Sequence, residues 1–247
     1  MNTFLYKFFH NETNDRTENG LVNIPTDQSS WPESWKKIEC KRYSFFKEIK
    51  LPQIGGFLFE KILNKRRSSE GYVLGNKVLL SDLAYILKCG YGLQEGALEE
   101  NREMNRTVPS GGRRYPLEIY VFLFKKIGGH DSGVYHYGIQ EHVLEPIVLG
   151  SFSRRDILSI APEQEWVQDT NGMICITSVF NRMTDKYGSR GYRYILLEAG
   201  HVAQNMLLAG TEKNVNMIPV GGIEADIIER RIGLSNGEEG LVYALSL

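Results

Sequence analysis

Cysteine is scarce and scattered in this sequence. Three occur in 247 residues, Cys40, Cys89 and Cys175, an odd number with no CxxC pairing. That argues against a disulfide framework and against a cysteine-built zinc site. An excess of one charge is also missing: 29 Lys and Arg against 30 Asp and Glu leave a net charge of −1. A general nucleic-acid binder shows a basic surplus instead. No apolar run approaches the roughly eighteen residues of a membrane span. The opening MNTFLYKFFHNETNDR is aromatic, but Lys7 and His10 interrupt it, so it lacks the apolar core of a signal peptide. No GxSxG, Walker or GxGxxG signature occurs. His10, His130, His136, His142 and His201 show no metal-ligand spacing. The expectation is a reduced, cytoplasmic protein with no metal, no nucleic acid and no membrane among its partners.

What is present is ordinary in bulk. Apolar residues make up 42% and charged residues 24% of the chain, a balance that lets it bury a substantial core. No internal repeat or low-complexity segment appears. Residues 1–52 are polar and irregular, punctuated by Pro25, Pro32 and Pro52, yet carry Trp31, Trp35, Tyr43, Phe45 and Phe46. A free linker has little use for so many rings. They read as an extension that packs onto a domain spanning 53–247.

Within that domain a short helical pattern covers Phe57 to Leu63. LSDLAYILKCGYG predicts a helix with Ser81 as N-cap, an apolar side of Leu83, Ile86 and Leu87, and Gly90 as its stop. Residues 93–107 read as a polar surface loop. Strands are expected at Leu117–Phe124, Val134–Tyr137, Val143–Leu149, Met173–Phe180 and Leu241–Leu247. Gly128-Gly129 and Gly138 separate the first three, so hairpins follow there. The longest helix runs from about Tyr192 to Gly210, with Ile195, Ala199, Val202, Met206 and Ala209 in one stripe. Leu196, Leu197, Leu207 and Leu208 make other faces apolar too, which predicts burial on most sides, centrally or at a subunit interface. On this helix His201, Glu198 and Asn205 read first as buried polar groups pairing across a helix interface. A last helix starts near Ala225-Asp226, where an acid suits the helix dipole. Hairpins with helices between and after them predict an α+β fold.

Four segments can carry chemistry, and each has a plainer explanation. In PSGGRRYP, Gly111 and Gly112 let backbone N–H groups approach a ligand, Ser110 adds a hydroxyl, and Arg113 and Arg114 can bind phosphate or carboxylate. A tight turn entering a strand explains it as well. NKRRSSEG, from Asn64, offers fork-shaped donors and hydroxyls to a phosphate, or is simply a helix end where cations are favoured. RMTDKYGSRGYRY, Arg182 to Tyr194, sets Lys186 beside Tyr187; a lysine near other cations can act as a base near neutral pH, and a charged surface loop is the alternative. MIPVGGIEAD breaks an apolar run at Gly221-Gly222, whose N–H groups can face a ligand or only turn the chain.

In this order the four segments resemble the flavin-dependent nitroreductase superfamily, and within it the SagB/McbC-type azoline dehydrogenases that mature ribosomally made peptides. PSGGRRYPLEIYV, GVYHY and KYGSRGYRYILLEAGHVAQN carry the resemblance best, and it extends from about Trp31 to the C-terminus. It implies an antiparallel-centred sheet wrapped by helices, a homodimer and FMN between subunits. Arg66, Arg67 and Ser68 match the family's phosphate-binding motif, and Pro109, Ser110, Gly111 and Gly112 match the loop against the flavin ring. Gly221 and Gly222 match the turn whose N–H faces flavin N5, and Lys186 and Tyr187 match the pair implicated in catalysis. Position 113, often small in relatives, is Arg here. The sequence runs to Leu247 directly after its last strand, where many nitroreductases continue with basic residues. Arg190, Arg193, Arg230 and Arg231 are the candidates to take over that phosphate contact.

The activity so implied is FMN-dependent oxidation of peptide thiazoline or oxazoline rings to thiazoles or oxazoles. A precursor peptide is then the substrate, and a complex with a cyclodehydratase is in keeping with the family. Two other readings stand beside it: an NAD(P)H-dependent flavin reductase, and a flavin-binding scaffold subunit of a peptide-modifying complex.

Overall fold

The structure, a computed structural model, describes residues 5–13, 27–36, 40–41, 49–52, 55–68, 77–96, 105–162, 164–234 and 237–247. Tyr43, Phe45, Phe46, Ser69 and most of the loop 93–107 lie outside them. In chain order the elements are α1 (Leu5–Thr13), α2 (Glu33–Lys36), α3 (Leu58–Lys65), α4 (Leu80–Tyr91), β1 (Leu117–Leu123), β2 (Gly133–Gly138), β3 (Val143–Leu149), α5 (Arg154–Ile160), β4 (Gly172–Val179), α6 (Asn181–Tyr187), α7 (Arg190–Glu212), α8 (Ala225–Ile232) and β5 (Glu239–Ser246).

The strand LEIYVFL is apolar on both faces, so it needs cover on both sides. It gets it. Leu117, Ile119, Val121 and Leu123 enter one core with residues of α4 and α7. Tyr120, Phe122 and Phe124 enter a second core with residues of α5 and α8. Between these layers lies a five-stranded sheet in the order β3-β2-β1-β4-β5, every pairing antiparallel. This is the α+β architecture expected, and the strand boundaries fall within a residue or two of those read from the sequence. Beyond β5, Val220 N–H donates to Ala244 O (3.0 Å) and Ser246 N–H to Ile218 O (2.8 Å), so a short stretch lines that edge.

Two expectations about α4 are corrected. Its N-cap is Leu79 and Ser81 lies inside the helix; Asp82 takes the capping role by accepting from Leu79 N–H (3.4 Å). Gly90 does not stop the helix, which runs on to Tyr91. Gly90 is instead the contact point with α7: a Cβ there would lie 2.4 Å from Met206 Cγ. The glycine brings two helices close, which its position near a helix end disguises. On α7, Glu198 is buried, whereas Leu196, Leu197 and His201 are exposed. One side of this helix is open in the single chain, and His201 is not a buried polar group.

An ionic network fixes α6 to the sheet. Glu118 on β1 accepts from Arg182 and lies 3.0 Å from His136 Nε2, whose Nδ1 lies 2.7 Å from Glu145. Arg114 Nε–H donates to Arg182 O (2.8 Å), tying the segment before β1 to the same helix. At the other end of α6's neighbourhood, α1 packs its His10 against Phe180 (ring centroids 4.9 Å) and Tyr192 OH (2.9 Å).

A carboxylate at each ring nitrogen favours the protonated form of His136. The Glu118 hydrogen bond raises its pKa above the usual value; burial opposes this and Glu145 adds to it. Burial also works against the Glu118 charge, but His136 and Arg182 outweigh it and hold that carboxyl below its usual range. The raised histidine stabilises the fold fully below about pH 6.5, its unfolded value, and that contribution is lost as pH rises through the folded value. The lowered Glu118 contributes above its unfolded value and is lost only in acid. We therefore expect the His136 Cε1–H resonance to titrate above an ordinary histidine, and stability to decline with rising pH by less in His136→Gln. An ordinary titration point would remove this account of the network.

Candidate functional site

Gly112 has no room for a side chain. A Cβ there would lie 2.3 Å from Tyr187 Oη and 2.7 Å from Lys186 Nζ, well inside van der Waals contact. The turn and the Lys-Tyr pair, distant in sequence, thus meet face to face. The pair sits where it does because α6 ends at Gly188, which takes φ 58°, ψ −152°, a region closed to most residues. The Gly188 N–H closes the last turn on Thr184 O (2.7 Å), and α7 restarts two residues later. Arg182 to Tyr194 is therefore mostly two helices with a sharp corner between them, and the pair is at the corner.

The facing turn is a single 3₁₀ turn, Gly111–Arg113, with Gly112 at φ 61°. Arg113 (φ 57°) and Tyr115 (φ 43°) also adopt left-handed backbone, uncommon for residues with side chains. Such a conformation persists only where neighbours hold it. Tyr115 N–H donates to Ser110 Oγ (2.9 Å), closing the loop on itself. Gly111 faces Met183 and Tyr194, each 3.6 Å from the position of a Cβ. Tyr194 also meets the Tyr187 ring edge-on, centroids 5.2 Å apart, and Lys186 Nζ stands 5.4 Å from that ring's centroid. Sequence reasoning does not single out Met183 or Tyr194 as wall residues; Met183 lies one helical turn before the pair on α6, while Tyr194, across the corner on α7, carries no such signal.

Beside the loop opens a cavity of about 380 Å³ whose lining includes Arg106, Thr107, Pro109, Ser110 and Arg113. It shares Gln94 and Thr107 with a larger one of about 700 Å³, which reaches Lys88, Tyr137 and His142.

The other two segments lie elsewhere. Arg66, Arg67 and Ser68 follow α3, where Arg66 Nη1 donates to Ser68 Oγ (3.1 Å) and Arg67 Nη1 to Asn64 O (2.6 Å) and Arg66 O (2.9 Å). In this chain alone Arg67 caps a helix C-terminus. Gly221 and Gly222 follow the stretch beside β5, three strand places from β1, or about 14 Å at the usual spacing. The residues flanking that turn, Val220 and Ile223, belong to the core opposite the one holding Met183 and Tyr192. The turn's two N–H groups find no acceptor among the described residues, while Val220 N–H and Glu224 N–H on either side are both bonded. Of the four candidate arginines, Arg231 is already engaged by Asp156 (2.5 Å) and stacks on Phe152; Arg190, Arg193 and Arg230 are exposed.

Comparison with known proteins places the chain in a family. A sequence model of the nitroreductase family matches residues 63–247. MJ1384 of Methanocaldococcus jannaschii, named as a nitroreductase, is 34% identical over 174 residues, 70% of this chain and 83% of that protein. The trifolitoxin-processing protein TfxB of Rhizobium leguminosarum bv. trifolii is 30% identical over 131 residues, 51% of this chain but 35% of TfxB. The microcin B17-processing protein McbC of Escherichia coli is 28% identical over 112 residues, 44% of this chain and 41% of McbC. Among solved structures, a chain of the E. coli microcin synthetase McbBCD complex with truncated pro-MccB17 superposes with a TM-score of 0.73 at 19% identity, covering 99% of this chain and 91% of that one. The family match over residues 63–247, the fold and these relatives lead to one conclusion: the chain belongs to the nitroreductase family.

Proposed function

We propose that this protein is an FMN-dependent dehydrogenase that oxidises thiazoline or oxazoline rings in a ribosomally made peptide. The observation that carries the reading is the contact of Gly112 with Lys186 Nζ and Tyr187 Oη. A base and a hydroxyl converge there on a turn that the family lays against a flavin ring.

The residues fit the cofactor. Gly221 and Gly222 hold N–H groups that are unpaired among the described residues at the turn matching the flavin N5 contact. Arg66, Arg67 and Ser68 present guanidinium and hydroxyl donors suited to its phosphate. When bound, the flavin supplies acceptance of a hydride, two electrons and one hydrogen nucleus. The chain's own residues do the rest. Lys186 takes the proton from the ring carbon that was the amino-acid Cα, and the ring, having lost two electrons and two protons in all, becomes aromatic. Tyr187 orients the ring or relays that proton. The Gly111-Gly112 turn fixes the distance between the pair and the reacting plane.

The Gly112 and Gly221 turns belong to different sides of one chain's sheet, so a cofactor touching both must lie between two chains. An apolar surface is available for the second copy: Phe57, Leu58 and Phe59, at and beside the start of α3, are 68%, 71% and 61% exposed, and Leu197 of α7 is 56% exposed. α3 packs along α7, so these residues share one region of the surface. Surface apolar groups gathered this way mark an interface. The reading thus includes a homodimer, a precursor peptide as substrate and a cyclodehydratase as the partner that makes the ring. It also keeps 1–52 as an extension of the domain at 53–247. Among the described residues no helix is long and apolar enough to cross a membrane.

A second reading has its own support. MJ1384, similar over most of its length, is named as a nitroreductase, and an NAD(P)H-dependent reductase would use the same flavin site. Anaerobic addition of an azoline-bearing peptide to the yellow protein separates the two. Bleaching by peptide and recovery in air supports the dehydrogenase; bleaching by NADPH alone supports the reductase. A flavin unresponsive to both marks a scaffold.

Three outcomes are expected of variants. Lys186→Ala retains FMN but loses about 10²–10⁴ in turnover, and wild-type turnover in that variant would remove Lys186 as the base. Gly112→Ala pushes the pair aside and lowers turnover on the order of a hundredfold, with thermal unfolding showing a folded protein. In light scattering the wild type shows twice the 28.2 kDa of one chain, and Leu58→Asp with Leu197→Asp shows a single chain with weakened FMN binding. A monomer that holds FMN at full affinity contradicts the shared site.

A further inference from the structure

Behind the Gly111-Gly112 turn lies a buried polar cluster that the proposed chemistry does not use. Glu198, on α7, is 2% exposed. Its Oε1 accepts from Tyr91 Oη–H (2.9 Å), and the same Tyr91 oxygen accepts from Leu117 N–H at the start of β1 (3.3 Å). The guanidinium of Arg106 is sandwiched between the rings of Tyr91 (4.2 Å) and Tyr115 (4.8 Å). Arg106 N–H donates weakly to Tyr115 Oη (3.4 Å). Burial raises the Glu198 pKa, opposed by the Ser110 hydroxyl, Tyr91 and the Arg106 charge. Arg106 Nε and Nη1 and Glu198 Oε2 are buried with no hydrogen-bond partner among the described residues, so the cluster is held by the Tyr91 hydroxyl and by ring stacking.

Glu198 therefore addresses the far end of the strained turn through Tyr91, whose oxygen also holds Leu117 N–H and whose ring carries the Arg106 guanidinium that stacks on Tyr115. A turn with left-handed Arg113 and Tyr115 relaxes toward ordinary backbone unless something over-determines it. A small displacement of Gly112 would break its contact with Lys186 and Tyr187.

We propose that Glu198, acting through Tyr91 and the Arg106 guanidinium stacked between Tyr91 and Tyr115, is the positioning residue that holds the Gly111-Gly112 turn against Lys186 and Tyr187. The inference rests on reading that pair as the reacting groups, but its test addresses the turn itself. Amide hydrogen exchange of the full chain is measured over 110–116 and, as an internal control, over β1 and β4. In Glu198→Ala, exchange over 110–116 is expected to speed up about tenfold or more, the scale of one lost charge-assisted hydrogen bond, while both strands keep wild-type protection. Glu198→Gln retains an acceptor for Tyr91 and is expected to recover most of that protection, and with it most of the kcat lost in Glu198→Ala at little-changed KM. Should Glu198→Ala not fold, Tyr91→Phe, which deletes one hydroxyl, is expected to loosen the same segment. Unchanged exchange over 110–116 in whichever variant folds overturns the proposal, as does equal loosening of the strands. A wild type inert toward azoline peptides removes the functional reading, and the exchange comparison still decides the role of Glu198.

Discussion

The absence of a Cβ at Gly112 is the constraint on which the site depends. The nearest atoms to that missing group are the amine of Lys186 and the hydroxyl of Tyr187, so the backbone and the Lys-Tyr pair meet without an intervening side chain. Everything around them serves the approach. Gly188 ends α6 at the residue after Tyr187, Arg182 anchors the start of that helix to Glu118, and Arg114 binds the carbonyl of Arg182. Two non-glycine residues, Arg113 closing the turn and Tyr115 just after it, adopt left-handed backbone. Local strain of this kind is consistent with a site whose geometry is set by its surroundings and not by its own preferences.

The scaffold was legible because its signals are local. Short apolar runs gave the strands, two glycine turns gave the hairpins, and the stripe on α7 gave the side it buries in the core. What failed depended on distance in space. Gly90 has the sequence appearance of a helix stop, and only Met206, more than a hundred residues away, shows it to be a packing contact. His201 shares a helix side with Glu198 and Asn205 on paper, yet it is exposed while Glu198 is buried. In the candidate site, the order of the four segments was readable through family resemblance. Their geometry was not. No periodicity predicts that Gly112 touches Tyr187, or that Gly221 stands beyond β5 on the other side of the sheet.

That separation has a physical consequence for the cofactor. A flavin ring is too short to touch both turns around the rim of one sheet, and the sheet itself is filled on both faces by packed side chains. Two copies resolve the problem if each offers its Gly112 corner to the other's Gly221 turn. The exposed rings of Phe57 and Phe59 and the exposed leucines of α3 and α7 then find cover at the same interface. Burial of apolar surface would drive the association, and the polar site would form as its result.

On the proposed assembly, oxidation and reduction are both within reach of this fold. The flavin chemistry runs in either direction, so the direction is decided by what enters the site and by whether a base stands ready for the substrate proton. A reductase needs a hydride donor and an acceptor, and gains nothing from an amine aimed at the reacting plane. An azoline gives up a carbon-bound proton, which demands a base at a fixed distance. In the proposed reading, Lys186 held against a side-chain-free turn, with a tyrosine at its shoulder and a trough leading away past Thr107 toward His142, would meet that demand. The oxidative reading therefore accounts for the one contact in the site that the reductive reading leaves without a purpose.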